Sequence, residues 1–346
     1  MSVTARSGRA TLRDVAARAG VSTAVVSYVL NGRSNRTNPA SPAVTERVRL
    51  AAAELGYLPN TNARSLKRRR TDRVCLTLDG PSTPWSDLLL ETMERAAEAK
   101  KYSVVLLPSR DRTGVVRTRS LLQQGFADGV LIPTDHQGNR WSPEDITALT
   151  ASGTAVVVIS DVMPAAAPAV YVRRTVQAAT EEALTRLVAG GRRRIGVLAH
   201  HSDVEPVPSP RYAAYRAVLR RHRIRFDPAL VMVGAAEDRV AAYQATTTLL
   251  ERGDIDAIFS ASDRGAVSAM WALRDHELSV PAQVAVLGFG NIPEGTITRP
   301  PLSSVGQDLS RLSEMVDALF QQLGSGPPPE PVELVIPSVI SWRGSA

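Results

Sequence analysis

The sequence predicts an α/β protein in two parts: a small all-helical head, then a long body of two lobes built on parallel sheets. Three observations carry this. Residues 11–58 read as three short helices set apart by caps and turns. From Val74 onward, short β-rich runs alternate with helical patterns. Positive charge is also concentrated at one end. Residues 1–73 hold fourteen Lys and Arg against four Asp and Glu, a net of +10, whereas the remaining residues hold 27 against 30, a net of −3. Alternating strands and helices imply parallel sheets covered on both faces. About 270 residues of this pattern exceed what one core holds, hence two lobes. No short-period repeat runs through the body.

The head is legible residue by residue. Thr11-Leu12-Arg13-Asp14 is a capping-box-like start, and Leu12, Val15, Ala16 and Ala19 follow helical spacing. Gly20 breaks that helix. Ser22 caps a second, with Val25, Val26, Val29 and Leu30 on its apolar side, and Asn31-Gly32 ends it. Ser41-Pro42 places a cap residue before a first-turn proline. Val44, Val48, Ala51, Ala52 and Leu55 form the third apolar face, closed by Gly56. A linker over residues 59–73 follows, with Lys67 to Arg70 all basic. In the body, strands are expected at Val74–Leu78, Ser103–Leu107, Asp128–Ile132, Thr154–Ile159, Arg194–Ala199, Asp256–Ser260 and Val284–Phe289. Helices are expected at Leu88–Lys101, Val115–Gln124, Gln177–Ala189, Arg211–Arg223, Val240–Arg252 and Ala266–His276.

Composition narrows the function. Cys75 is the single cysteine, so neither an internal disulfide nor a cysteine metal cluster can form. Met1 to Thr11 lacks the apolar stretch of a signal peptide, and no apolar run approaches the ~18–20 residues that span a bilayer. A cytosolic protein without membrane contact is the expectation. Of the 41 basic residues only Lys67, Lys100 and Lys101 are lysines. One arginine is therefore weak evidence, but the asymmetry between head and body is not.

A basic head points to a polyanion. The short Ala19-Gly20-Val21 turn between two helices has helix-turn-helix geometry, in which the second helix enters the major groove. Thr23, Ala24, Ser27 and Tyr28 would then face base edges. A plain helical hairpin has the same bare pattern, and the charge and the basic linker favour the DNA reading.

Several stretches carry a closer likeness: Thr11-Leu12-Arg13-Asp14-Val15-Ala16, Ala19-Gly20-Val21-Ser22, Val26-Ser27-Tyr28-Val29-Leu30-Asn31, Ala53-Glu54-Leu55-Gly56-Tyr57, and Pro59-Asn60 through Ala63-Arg64-Ser65-Leu66. Later come Arg211 with Tyr215, Ser262-Asp263, Val286-Leu287-Gly288-Phe289, Pro300-Pro301-Leu302 with Val305 and Gln307, and Arg343-Gly344-Ser345. Together these resemble the lactose-repressor (LacI/GalR-type) family of bacterial transcriptional regulators over nearly the whole chain. The resemblance implies a homodimeric regulator, most simply a repressor, of double-stranded operator DNA. It implies a headpiece at 1–58, a hinge at 59–73 and a periplasmic-binding-protein-like effector and dimerisation domain at 74–346. Lobe 1 would span about 74–172 and 308–328, and lobe 2 about 173–307 and 329–346. Thr11, Ser22, Ser27 and Asn31 would add caps and phosphate contacts to the bases read by Thr23, Ala24 and Tyr28. The linker, with Asn60, Ala63, Arg64, Leu66 and Lys67, would fold on DNA and wedge Leu66 into the minor groove. An apolar residue between basic ones suits such a wedge, although it also suits packing on the head. No leucine heptad follows Ser345, so a dimer is expected and not a tetramer.

By the same resemblance, a small molecule would sit between the lobes on Trp85, Ser86, Asp161, Arg173, Arg174, Arg211, Asp263 and Asn291. Trp85 could stack on a sugar or base, or simply pack half-buried. Arg211 could grip hydroxyls or a carboxylate, or lie on the surface. Some positions depart from the family pattern: Arg173-Arg174 replace Asp-Asn, Gly290-Asn291 replace Asp-Asp, and Glu237 stands where an aromatic is frequent. Arginines favour anions, so an acidic metabolite and a neutral sugar both remain open as the effector, as does no effector. The segment 32–41 is about four residues long beyond the family pattern, and its Arg33 and Arg36 fit either phosphate contacts or a solvated loop.

Catalytic and metal chemistry find little support. Gly288 to Pro293 is not a dinucleotide fingerprint, because its sixth position is Pro. Neither a phosphate-binding loop nor a nucleophile elbow is present. The histidines are His136, His200, His201, His222 and His276. Adjacent His200-His201 would point to opposite sides of an extended segment, which does not make a metal pair. No cofactor is expected and no metal site. A two-lobed binding protein or enzyme carrying a basic module is the alternative reading. The hinge yields a sharp expectation. Leu66→Ala should weaken operator binding strongly and leave binding to random DNA nearly intact, as read by gel shift on both duplexes. Neutralising Arg68, Arg69 and Arg70 should lower both and flatten the salt slope by roughly one unit per lost phosphate contact.

Overall fold

The computed structural model describes residues 10–30, 40–58, 68, 70–78, 83–134, 141–161, 167–204, 207–236 and 238–346. Expectations for Asn31, Arg33, Arg36, Asn60, Ala63, Arg64, Leu66, Lys67, Arg69, His136 and Glu237 lie outside them. The chain divides into two compact units, Met1–Thr71 and Asp72–Ala346.

The first unit holds helices α1 (Leu12–Ala19), α2 (Thr23–Leu30) and α3 (Pro42–Glu54). Thr11 and Asp14 form a reciprocal capping box: the Asp14 N–H donates to Thr11 Oγ1, and the Thr11 N–H donates to Asp14 Oδ2 at 2.8 Å. Gly20 adopts φ 64°, a left-handed turn that a Cβ would oppose, and its N–H closes the end of α1. Ser22 Oγ accepts from the Val25 N–H at 3.3 Å and so starts α2. The apolar stripes converge on Val15, Ala19, Val26, Val48 and Ala52. Arg18 of α1 pairs with Glu54 of α3 at 2.6 Å on the surface, a pair of small value by itself.

The second unit contains two six-stranded sheets. The first uses β1 (Arg73–Leu78), β2 (Ser103–Pro108), β3 (Gly129–Pro133), β4 (Ala155–Ser160), β5 (Val170–Arg174) and β11 (Val332–Ile336). Its order is β11-β5-β4-β3-β1-β2, parallel throughout. The second uses β6 (Ile195–Ala199), β7 (Val231–Val233), β8 (Ala257–Ser260), β9 (Ala285–Gly290), β10 (Ser303–Gln307) and β12 (Ser338–Ser341). Its order is β12-β10-β9-β8-β6-β7, with only β12 antiparallel. Helices α4 (Pro84–Lys100), α5 (Arg112–Gln123), α6 (Pro143–Ala151) and α12 (Leu312–Ser325) serve the first sheet. Helices α7 (Val176–Ala189), α8 (His201–Val204), α9 (Pro210–Arg221), α10 (Arg239–Glu251) and α11 (Asp263–Asp275) serve the second. Each sheet buries an apolar cluster on both faces, which is why the strands read as continuous apolar runs. Among the described residues no helix is long and apolar enough to cross a membrane.

Two details of the expected lobes change. Lobe 1 keeps the whole of β5, so the first crossing falls after Arg174 and not before Arg173. Residues 332–336, expected in lobe 2, instead form a lobe 1 strand, because Val332–Ile336 pair in parallel with Val170–Arg174. The last crossing therefore lies between Ile336 and Ser338. It is tied to the first: the Thr175 N–H donates to the Ile336 carbonyl at 3.4 Å, and the Ser338 N–H donates to Thr175 Oγ1 at 3.1 Å. The third crossing joins β10 to α12.

Candidate effector cleft and helix-turn-helix face

The strand ends decide where a ligand can sit. In each parallel sheet the carboxyl ends of the strands open toward one side, where ligands bind in folds of this kind. Arg174 ends β5, His200 follows β6, Ser262 to Arg264 follow β8, Gly290 ends β9 and Gln307 ends β10. With Trp85, which opens α4, they line a half-enclosed cavity of about 190 Å³ between the lobes.

Two arginines face the cavity from opposite lobes, each stacked on a ring and each paired. The Arg174 guanidinium lies 5.2 Å from the centre of the Trp85 ring and 2.5 Å from Asp161 Oδ1. The Arg211 guanidinium lies 4.7 Å from the centre of the Phe289 ring, and its Nε donates to Asp203 Oδ1 at 2.6 Å. Burial alone would raise the Asp203 carboxyl, but Arg211, His200 and its hydrogen bonds outweigh that and hold it below the usual carboxylate range. Arg264, which also lines the cavity, makes no hydrogen bond or ion pair among the described residues, and its Nε is buried.

Asp263 is the buried carboxylate of the site, 2% exposed. It is the first residue of α11, after the cap Ser262, whose Oγ accepts from the Gly265 N–H at 3.0 Å. Asp263 Oδ1 accepts from Ser304 Oγ at 2.6 Å, and Oδ2 accepts from the Ile292 N–H at 2.8 Å. One side chain thereby joins α11, the turn after β9, and β10. Gly288 makes room for it, since a Cβ there would fall 2.1 Å from Asp263 Oδ1. Burial pushes Asp263 up to about 6, more than the Ser304, Ile292 and Arg343 contacts pull it down. Across the mouth, Trp85 Nε1 donates to Gln307 Oε1 at 2.9 Å.

Four of the eight residues expected in the cleft line this cavity: Trp85, Arg174, Arg211 and Asp263. The other four do not. Arg173 points away and pairs with Glu333 of β11. Ser86 is spent on the cap of α4, where it accepts from the Thr83 N–H at 2.7 Å. Asp161 stands behind Arg174 as its counter-ion. Asn291 is locked from both sides, donating from Nδ2 to the Gln307 carbonyl and accepting from Arg343. The sequence reading missed Arg264, Phe289, His200 and Gln307 as wall residues. Among the described residues no group of three His, Cys, Asp or Glu is placed to hold a metal. Cys75 is buried, and burial pushes its thiol up to about 12, which keeps it unreactive.

On the head, Thr23 and Ala24 are exposed at the start of α2, and Ser27 and Tyr28 are half-buried one turn on. Thr11 and Ser22 are exposed and act as caps, each with its oxygen on a backbone N–H.

Comparison with known proteins follows this division. Residues 11–60 match the model of bacterial regulatory proteins of the lacI family, and residues 184–346 match that of a periplasmic binding protein-like domain. The HTH-type transcriptional regulator CelR of Thermobifida fusca is 30% identical, covering 98% of this chain and 99% of its own length. The ribose operon repressor of Escherichia coli K12 is 28% identical, covering 97% of this chain and all of its own. Among solved structures, a complex of CelR with cellobiose aligns at TM-score 0.66 with 29% identity, over 98% of this chain and 100% of that one. The Lac repressor bound to ONPG in a repressed state aligns at 0.73 with 25% identity and the same coverage.

The raised carboxyl of Asp263 sets a pH signature. The folded protein holds this proton more tightly than the unfolded chain does. The contribution is therefore fully present below about pH 4 and is lost as pH rises through about 6. It amounts to roughly 2–3 kcal/mol at 1.36 kcal/mol per unit. Groups held low, such as Asp203, titrate below that window. Urea unfolding at pH 4.5 and pH 7 should show the loss, and Asp263→Asn should remove most of the difference.

Proposed function

Because the chain belongs to the lacI family of bacterial regulatory proteins, and so is a DNA-binding transcriptional regulator, we propose that its operator affinity is set by a small polyhydroxylated metabolite held between the lobes. The head reads DNA through Thr23, Ala24 and Tyr28 of the second helix. Two heads of a homodimer would meet a two-fold operator in the cytoplasm, where the DNA is. Self-association is supported by two exposed apolar side chains, on α11 and in the turn after β9, set among charged residues. There Trp271 and Ile297 are 42% and 73% exposed beside Met270 and Val280.

The observation that carries the choice of ligand is the charge balance of the cleft. Arg174 is paired with Asp161 and Arg211 with Asp203, whereas Arg264 makes no ion pair among the described residues. Two of the wall arginines are paired with carboxylates behind them, so they offer forked donors whose charge is already balanced. That suits hydroxyl groups better than a phosphate or a carboxylate. Trp85 and Phe289 supply flat apolar surfaces for a ring. A cavity of about 190 Å³ is smaller than the roughly 300–1,000 Å³ of most ligand pockets, which favours a single sugar ring. The relatives agree in kind, since CelR is solved with cellobiose and another is a ribose operon repressor. The expected pair Arg173-Arg174 argued for an anion. That argument falls with Arg173, whose guanidinium is taken by Glu333. Catalysis is not part of this reading, and its relatives are regulators.

A thermal-shift screen tests it. Monosaccharides, cellobiose, sugar phosphates and carboxylates are compared at equal concentration on the whole chain. A neutral monosaccharide should stabilise the protein, and Arg211→Met should abolish that shift. Stabilisation by anionic metabolites alone would overturn the reading.

A further inference from the structure

We propose that lobe 2 carries a second polyanion-binding surface, at the strand ends remote from the cleft, and that it takes the phosphate backbone of double-stranded DNA. The sequence shows the concentration first. Residues 186–225 contain ten arginines against two carboxylates, Asp203 and Glu205, whereas the rest of 74–346 holds 17 basic against 28 acidic residues. A chain that merely prefers arginine would spread the excess, and this one confines it.

Three of the ten are engaged elsewhere. Arg211 belongs to the cleft. Arg186 stacks on Trp342 with 4.2 Å to the ring centre, and Arg192 donates to the carbonyls of Pro281 and Gln283. The other seven share one end of the lobe. Arg193 and Arg194 immediately precede β6, and Arg216, Arg220, Arg221, Arg223 and Arg225 run along and just past the end of α9. Tyr215 of α9 donates its hydroxyl to the Ile195 carbonyl at 3.1 Å, which sets the end of α9 over the start of β6. The cleft lies at the other ends of these strands, ~16 Å away along β6.

All seven are exposed. Arg216 stacks on Phe226 at 3.6 Å, and Arg221 reaches Glu181 at 2.6 Å. The guanidinium groups of Arg193, Arg194, Arg220, Arg223 and Arg225 make no hydrogen bond or ion pair among the described residues. The carboxylates at this end have other duties. Asp256 accepts the backbone N–H groups of Arg193 and Arg194, Asp227 caps the turn at Pro228, and Glu181 is held by Arg221 and Gln177. With the exposed Asp254 just before Asp256, seven cations against four anions leave a surface of about +3. Exposed planar forks that no carboxylate holds match phosphate oxygens. Double-stranded DNA, already the partner of the head, presents one charge per ~1.7 Å. The surface would let one molecule hold a second duplex segment.

The test uses the whole chain and a 30-bp duplex of random sequence, with affinity read by fluorescence anisotropy across a series of salt concentrations. Neutralising Arg194→Gln, Arg220→Gln, Arg223→Gln and Arg225→Gln together should flatten the slope of log K against log salt by about 3–4, at ~0.9 per phosphate contact. A control that removes equal charge elsewhere, Arg95→Gln, Lys101→Gln, Arg110→Gln and Arg117→Gln, should change it by less than about one. Should the fourfold variant fail to unfold cooperatively, the pair Arg220→Gln and Arg225→Gln should give about half the flattening. Equal slopes in all proteins, or equal flattening by both sets, would overturn the proposal. Loss of binding to polyglutamate with an unchanged DNA slope would also overturn it, and would assign the surface to an acidic polypeptide.

Discussion

The cleft depends on the way the chain passes between the lobes. It crosses three times, after β5, after β10 and after β11, and Thr175 fastens the first crossing to the last through its N–H and its hydroxyl. Short neighbouring crossings permit the lobes to rock about that line but not to separate. The strands that feed the crossings also carry the ligand-facing side chains, Arg174 at the end of β5 and Gln307 at the end of β10. Any molecule that changes the angle between lobes must therefore act where the chain is thinnest. The bond from Trp85 to Gln307 spans that gap and holds one arrangement. A ligand shifts the balance only through contacts that differ between arrangements.

Within lobe 2 the corresponding constraint is Asp263. Its carboxylate replaces water with Ser304 and the Ile292 N–H, and so fixes the start of α11 against the ends of two strands. Losing Asp263 would leave a buried donor unsatisfied and free the cleft wall at once. Gly288 and Asp263 are thus one feature: the glycine is there because the carboxylate fills the space of its missing side chain. The ion pairs of Arg174 and Arg211 follow a similar logic. A half-buried guanidinium is costly unless paired, and Asp161 and Asp203 supply that pairing while leaving Arg174 and Arg211 stacked on aromatic rings.

Much of this was legible in the sequence. The head could be read because caps, breakers and apolar spacing agree from Thr11 to Gly56. The main strands could be read because parallel strands buried on both faces are apolar runs. The sequence pattern did not separate β5 or β10, which end on Arg174 and Gln307, nor β7, three residues long, nor β11 and β12, where exposed Glu333 and half-exposed Ser338 interrupt the pattern. That gap misplaced the last lobe boundary. It also blurred Arg173 and Arg174. Neighbours on a strand point to opposite faces, so at most one of them could reach the cleft, and which one depends on where β11 pairs. Arg264 and Phe289 escaped notice because a wall residue of a cleft needs no motif, only a place at the end of the right strand.

The central claim is that the cleft and the operator are linked through one equilibrium between lobe arrangements. Such linkage must be reciprocal. The most direct measurement is the dissociation constant of the stabilising sugar, by titration calorimetry, with the protein free and with it saturated by operator. The account predicts that operator changes sugar affinity by the same factor by which saturating sugar changes operator affinity, typically ~5–150-fold. Equal sugar affinity in the two states would contradict it.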